Sequence, residues 1–134
     1  MSDDKTMGFD TLQIHAGASP DPATGARQVP IYQTTAYVFR DADHAAALFN
    51  LQEVGFIYSR LTNPTVAALQ DRIVALEGGA GGICCSSGHA AQIMALFPLM
   101  GPGKNIVSSS RLYGGTITQF SHTIKRFGWS ASLV

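Results

Sequence analysis

Apolar and polar positions follow different patterns on the two sides of residue 60. Before it, Pro20, Pro22, Gly25 and Pro30 interrupt any long periodicity, and the segment reads as irregular. One short helix is expected inside it, over 41–51. Asp41 or Asp43 can cap that helix, and Ala45, Leu48 and Phe49 give it an apolar side. Residues 29–39 are rich in β-formers, but their proline and glutamine suit an extended arm better than a central strand. A stretch of this length without regular structure commonly docks on a neighbour.

From Asn63 onward the pattern is regular. Asn63 can cap a helix, and Pro64 falls at its first position, where a missing N–H costs nothing. Val66, Leu69, Ile73 and Leu76 follow at helical spacing, and Gly78 closes the helix. The apolar run Ile83-Cys84-Cys85 reads as a buried strand. Ser87-Gly88 opens a helix running to about Met100, with Pro98 bending or ending it. Residues 105–108 read as a second strand. A third helix is expected over 115–127, with Ile117, Phe120, Ile124 and Phe127 on one face and Gly128 as its stop. Residues 129–134 start another strand. Alternating strands and helices at this spacing predict an α/β fold with a mostly parallel sheet and right-handed crossovers. Such a sheet needs both faces covered and more than three strands. A chain stopping on a bare apolar strand therefore reads as a truncated piece.

Composition sharpens that expectation. Of 134 residues 46% are hydrophobic and only 13% charged, so some apolar area is expected to be covered by further chain or by another subunit. Nine basic and nine acidic residues give no net charge and no basic run, which argues against nucleic acid as a partner. The N-terminus carries acid with no apolar stretch behind it, and the longest apolar run, around 93–100, is too short to span a bilayer. A soluble cytoplasmic protein is expected. Cys84 and Cys85 are adjacent, so on a strand they point to opposite faces and suit a reduced core rather than a disulfide or metal site. His15, His44, His89 and His122 show no zinc-ligand spacing, and no metal is expected. The run from Gly101 to Lys104 fails as a phosphate loop, because Pro98 stands where its first glycine belongs.

Three segments make sense together as a site for an anion and a flat aromatic ligand. Ser87-Gly88-His89 lies just past the first expected strand and opens a helix, where free N–H groups bind phosphate. Tyr58 and Arg60 are two apart in an extended segment, so both project to one side, and a phenol with a guanidinium suits a phosphate dianion. Tyr113, followed by Gly114 and Gly115, is expected at the same sheet edge as Gly88, where its ring could stack on a flat ligand. Each has an ordinary alternative: a common turn, a surface pair, a core tyrosine at a tight turn.

Taken in order, the strings around Tyr58-Ser59-Arg60 and Asn63-Pro64-Thr65, Leu76-Glu77-Gly78-Gly79, Ser87-Gly88-His89-Ala90-Ala91 and Leu112-Tyr113-Gly114-Gly115-Thr116 resemble the Cys/Met-metabolism family of fold-type I pyridoxal-phosphate enzymes. Residues 12–17, 29–35 and 44–49, with His89 where relatives such as cystathionine γ-synthase usually carry Met, look most like its O-acetylhomoserine sulfhydrylase branch. The resemblance implies an arm over 1–60 contacting a neighbouring subunit and an incomplete large domain over 61–134. It implies pyridoxal 5′-phosphate as cofactor, held through Ser87, Gly88, His89 and Tyr113, with Tyr58 and Arg60 reaching the phosphate of the neighbouring subunit's cofactor. The implied enzyme is a homo-oligomer, a tetramer by family, that replaces the acetyl group of O-acetylhomoserine by sulfide to give homocysteine. A cystathionine γ-synthase or methionine γ-lyase fragment, or a noncatalytic short protein docking on full-length relatives, is the alternative. The family's Schiff-base lysine is missing, since Lys5, Lys104 and Lys125 lie in other contexts, and no aspartate follows Asp71 to pair with the pyridinium nitrogen. The chain alone is therefore expected to be inactive and to bind cofactor poorly.

Overall fold

Helix α1 (Phe9–His15) stands in a stretch whose sequence reads as irregular. Its N-cap is Gly8, no side chain caps it, and no residue within it is buried, so local signals are weak. Contact with a later helix holds it instead: Ala16 is 1% exposed, and Arg72 Nε donates to the Ala16 carbonyl at 2.9 Å. The structure, a computed structural model, describes residues 7–134. Contacts divide it into two compact units, one ending at Ile83 and one spanning Cys84–Val134.

In the first unit, α2 (Ala42–Phe49) starts at Asp41, whose carboxylate accepts from the His44 N–H at 2.7 Å, so Asp41 rather than Asp43 is the cap. The helix ends two residues before the expected 51 because Leu51 turns left-handed, at φ 57°. Leu48 is its buried anchor. Helix α3 (Pro64–Glu77) has the predicted limits: Asn63 caps the Thr65 N–H at 2.9 Å, Pro64 opens the first turn, and Gly78 closes it at φ 64°. Its predicted apolar stripe is in place but largely uncovered, with Leu69 and Ile73 about half exposed. Between α1 and α2 the chain makes a tight turn over 21–26 and is otherwise without regular structure. It touches 57–59 through an antiparallel bridge, Ala36 with Tyr58, flanked by Tyr37 N–H to Ile57 O and Ser59 N–H to Thr35 O.

Two expectations beyond α3 are corrected. Residues 83–85 form no strand; Ile83 is 73% exposed, and Cys84 and Cys85 are free and exposed. A strand persists only where a neighbour takes its ladder bonds, and among the described residues none runs beside this segment. The expected helix over 115–127 is two elements, α5 (Gly114–Ser121) and a 3₁₀ helix (Thr123–Phe127), broken at His122 with φ −127° and ψ −53°. Ser121, His122, Thr123 and Ile124 are all middling helix formers, so local preference did not resist the break. The break coincides with complete burial of Ile124 against Phe120 and Trp129, with Ile93, Leu96, Met100 and Ile106 around them.

Helix α4 (Gly88–Leu96) is capped by the Ser87 hydroxyl, which accepts from Ala90 N–H at 3.2 Å. It gives way to a turn at Phe97, as Pro98 has no N–H to return to Met94. Strands β1 (Asn105–Ser108) and β2 (Ser130–Leu133) pair in parallel, Asn105 opposite Ser130 through Ser108 opposite Leu133, with α5 and the 3₁₀ helix as the crossover. The α/β class is thus as expected, with two strands among the described residues. No helix among them is long and apolar enough to cross a membrane.

Candidate functional site

In the second unit the site is built on the start of α4. Ser87 is extended, so its hydroxyl reaches forward to Ala90 N–H while its carbonyl accepts from Ala91 N–H at 3.0 Å. That leaves the N–H groups of Gly88 and His89 with no protein acceptor among the described residues. Two free donors at the positive end of a helix dipole attract an anion. A side chain built on Gly88 would meet nothing within 4 Å, so the approach to these donors is open. The turn is held from behind: Gln119 Nε2 donates to the His89 carbonyl at 3.2 Å, and Gln92 Nε2 to Thr116 Oγ1 at 3.0 Å, tying α4 to α5.

Tyr113 stands beside this turn as the N-cap residue of α5. Its ring is 5.9 Å from the His89 imidazole, inclined by 37°. At 76% exposure it is not a core tyrosine, and its other face is open. Gly115 makes the pairing possible, since a Cβ there would lie 2.7 Å from both His89 Cε1 and Tyr113 Cε1. The structure therefore brings Ser87, Gly88, His89 and Tyr113 together, as the pattern suggested. A cleft of about 660 Å³ opens beside them between α4 and α5, walled by His89, Ile93, Met94 and Gly115.

Tyr58 and Arg60 lie in the first unit. The guanidinium carbon of Arg60 sits 5.3 Å from the Tyr58 ring centre, so the two do share a side, with a cation–π contact between them. Ser59 anchors the segment between them. Its hydroxyl points the other way, donating to the Thr34 carbonyl and lying 3.0 Å from Asn63 Nδ2 and 3.3 Å from the Tyr37 hydroxyl. The extended run expected here ends at Tyr58: residues 59–61 form a turn, with the Leu61 and Thr62 N–H groups bonded to the Tyr58 carbonyl at 2.8 and 3.0 Å, and this turn rather than strand alternation brings Arg60 to the Tyr58 ring.

The residue that sequence reasoning undervalued is Asn63. It is only 8% exposed, and besides capping α3 its Nδ2 reaches the Tyr32 carbonyl at 2.9 Å and the Tyr37 hydroxyl at 3.2 Å. Thr65 extends the grip: its hydroxyl donates to the Pro30 carbonyl at 2.7 Å and accepts from Tyr32 N–H at 3.0 Å. The signal in the sequence was Asn-Pro-Thr itself, two hydrogen-bonding side chains flanking a helix start.

The Tyr32 hydroxyl donates to Asp21 Oδ2 at 3.1 Å, while Thr24 donates to Oδ1 from both its hydroxyl and its N–H, each at 2.8 Å. Hydrogen bonds from the Thr24 hydroxyl, then from its N–H, hold the Asp21 carboxyl below the usual aspartate value. The bond to Asp21 in turn pushes the Tyr32 phenol above its usual value. A lowered carboxyl pKa favours the fold above the unfolded value of about 3.9 and is lost as pH falls through the folded one. The 21–26 turn is therefore expected to loosen below about pH 4. The amide shifts of Ala23 and Thr24, followed by NMR from pH 6 to 2, will move together with the Asp21 carboxyl. Among the described residues no group of three or more His, Cys, Asp or Glu is placed to hold a metal ion.

The family model for Cys/Met metabolism PLP-dependent enzymes (PLP, pyridoxal 5′-phosphate) matches residues 10–134. The chain is 57% identical over 122 residues to O-acetyl-L-homoserine sulfhydrylase 1 of Thermus thermophilus, covering 91% of this chain and 29% of that protein. It is 56% identical over 126 residues to homocysteine synthase of Schizosaccharomyces pombe, covering 94% and 29%. Among solved structures, a putative O-acetylhomoserine (thiol)-lyase of Campylobacter jejuni, carrying N′-pyridoxyl-lysine-5′-monophosphate, superposes with a TM-score of 0.87 at 48% identity, covering 95% of this chain and 31% of that one. Cystathionine γ-lyase of Lactobacillus plantarum gives 0.79 at 35% identity, covering 96% and 31%. The chain thus spans a little under a third of the proteins it matches.

Proposed function

Because this chain belongs to the Cys/Met metabolism PLP-dependent enzymes, we propose that it forms the part of an O-acetylhomoserine sulfhydrylase that grips the cofactor phosphate and one face of its ring. The observation that carries this is the pair of free N–H groups at Gly88 and His89, with the open face of Tyr113 beside them. The substrate assignment rests on the relatives named above, which match over nine-tenths of this chain. The residues fit the cofactor: a dianion suits the helix start, the space over Gly88 is unfilled, and a flat ring suits the exposed tyrosine face.

When bound, pyridoxal phosphate supplies an electron sink for loss of acetate from O-acetylhomoserine and addition of sulfide. This chain's residues bind and orient. Gly88 and His89 donate to the phosphate, Ser87 holds the helix start in place, and Tyr113 supports the ring. Tyr58 and Arg60 donate to the phosphate of a cofactor in a neighbouring subunit, which makes the enzyme a homo-oligomer, a tetramer in this reading. Residues 1–60 serve as the arm that makes that contact and 61–134 as the beginning of the cofactor domain. The uncovered apolar positions of α3 are then faces for further chain or for that neighbour. The cytoplasm suits such an enzyme.

Lys104 and Lys125 are exposed, and neither follows the Ser/Thr-rich turn that the family resemblance requires of its Schiff-base lysine. The purified chain is accordingly expected to form no homocysteine from O-acetylhomoserine and sulfide. Function is tested by exchange: residues 10–134 replace the matching segment of the Thermus thermophilus enzyme. The chimera should make homocysteine at a rate within about ten-fold of its parent, a tolerance of roughly 1.4 kcal/mol in barrier. A folded chimera that binds cofactor but acts only on cystathionine would overturn the substrate assignment.

A further inference from the structure

We propose that the side chain of His89 is a positioning residue for Tyr113, an aromatic backstop that sets the pitch at which the tyrosine's free face meets the cofactor ring. The inference rests on the cofactor reading above and deepens it by giving the imidazole a task separate from that of its backbone N–H.

Three observations carry it. Among the described residues the Tyr113 side chain has no hydrogen bond, and its ring's aromatic partner is His89, at 5.9 Å and 37°. Gly115 closes the packing from the third side: a Cβ there would be 2.7 Å from His89 Cε1, 2.9 Å from His89 Nε2 and 2.7 Å from Tyr113 Cε1. The bare glycine therefore lets the two rings lie against the backbone of α5. Lastly, His89 Nε2 is buried without a hydrogen-bond partner among the described residues.

That orphaned nitrogen decides between two uses of the side chain. If bulk alone were needed, an unbranched apolar residue would fill the space without burying an unsatisfied polar atom. What the imidazole adds is a rigid, flat face with two side-chain torsions, suited to holding another ring at a fixed inclination. Its backbone is fixed as well, through Gln119 Nε2 on the His89 carbonyl. One residue thus spans both ends of the ligand, offering N–H to the phosphate and setting the ring support a fixed distance away. His89 acts as a gauge for the phosphate-to-ring separation of a pyridoxal-type group.

The test compares two probes on the 134-residue chain by NMR in the millimolar range: inorganic phosphate, and pyridoxamine 5′-phosphate, which has the ring and phosphate but no aldehyde to react with lysines. Both should shift the Gly88 and His89 amides. The ring-bearing probe should bind about five-fold more tightly and also move the Tyr113 ring protons, as expected for one aromatic stack. In His89→Ala that preference should fall below two-fold while phosphate affinity stays within two-fold, and His89→Phe should restore it. Unchanged Trp129 indole and Ile124 methyl signals establish that each variant is folded. Preference surviving His89→Ala, or failing to return in folded His89→Phe, would overturn the inference and leave the phosphate site standing. If neither probe moves the Gly88 and His89 amides of the unsubstituted chain, the inference falls, while the cofactor reading, which expects the chain alone to bind poorly, is judged by the chimera.

Discussion

Gly17→Ala will unseat α1 from α3 and destabilise the first unit by about 3 kcal/mol or more. Gly17 has φ 67°, a left-handed conformation that costs an L-residue roughly 1–2 kcal/mol. It is also pressed against α3: an added Cβ would run into the Ala68 carbonyl oxygen and lie 2.8 Å from Arg72 N and 3.0 Å from Asp71 Cβ. Two of those three are backbone atoms of a helix, so no rotamer change relieves the overlap. The chain must back away, and Ala16 and the Arg72 bond to its carbonyl go with it. Urea unfolding will show the loss, and amide exchange will show which end is affected. The Ala16 N–H, bonded to Leu12 O at 3.0 Å, should exchange at the rate of an open chain.

Asn63→Ala should cost nearly as much by another route. It removes the cap of α3, worth about 1 kcal/mol, and strips a donor from the Tyr32 carbonyl, the Tyr37 hydroxyl and the Ser59 hydroxyl. The Tyr32 carbonyl, with no other donor among the described residues, costs about 1–3 kcal/mol when left unpaired, while the two hydroxyls keep each other and the Thr34 carbonyl, so a total near 3 kcal/mol is expected. Asn63→Asp separates the contributions. The aspartate keeps the cap, since its oxygen still accepts from Thr65 N–H, but it cannot donate. It also sets a carboxylate oxygen against the Tyr32 carbonyl at a position only 8% exposed, so its stability should be no higher than that of Asn63→Ala. Loss of the Ser59 anchor should also release the Tyr58–Arg60 pair, seen as averaging of their side-chain NMR shifts.

These residues also mark what the sequence could convey. Everything set by a residue and its next few neighbours was legible: the Asn63-Pro64 start and Gly78 stop of α3, the Ser87 cap of α4, the Asp41 cap of α2 and the left-handed Gly128. The shared side of Tyr58 and Arg60 was legible only in its outcome: an extended segment was expected, and a turn over 59–61 produces it. Features set by distant contacts were not. Helix α1 has no cap and is held by α3, the break at His122 sits beside the buried Ile124, and the hub at Asn63 has partners 26 and 31 residues away. The 83–85 segment shows the converse. Its residues have strand character, but a strand is a property of a pair, and the partner is absent among the described residues. At the site, the sequence placed the donors and the ring. It did not show that Gly115 keeps the His89 and Tyr113 rings together.

The most direct test of the account is one proline. Gly88 is the first residue of α4, where proline keeps the helix, removes the N–H and sets its ring in the open space beside the donors, and the extended Ser87 before it already has the conformation proline demands. In the chimera with the Thermus thermophilus enzyme, Gly88→Pro should weaken pyridoxal phosphate binding by about ten-fold or more, from the loss of one hydrogen bond to a charged group and from the ring's bulk beside it. Its cofactor-free thermal stability should not change. Unaltered cofactor affinity in that folded variant would contradict the claim that the start of α4 holds the phosphate.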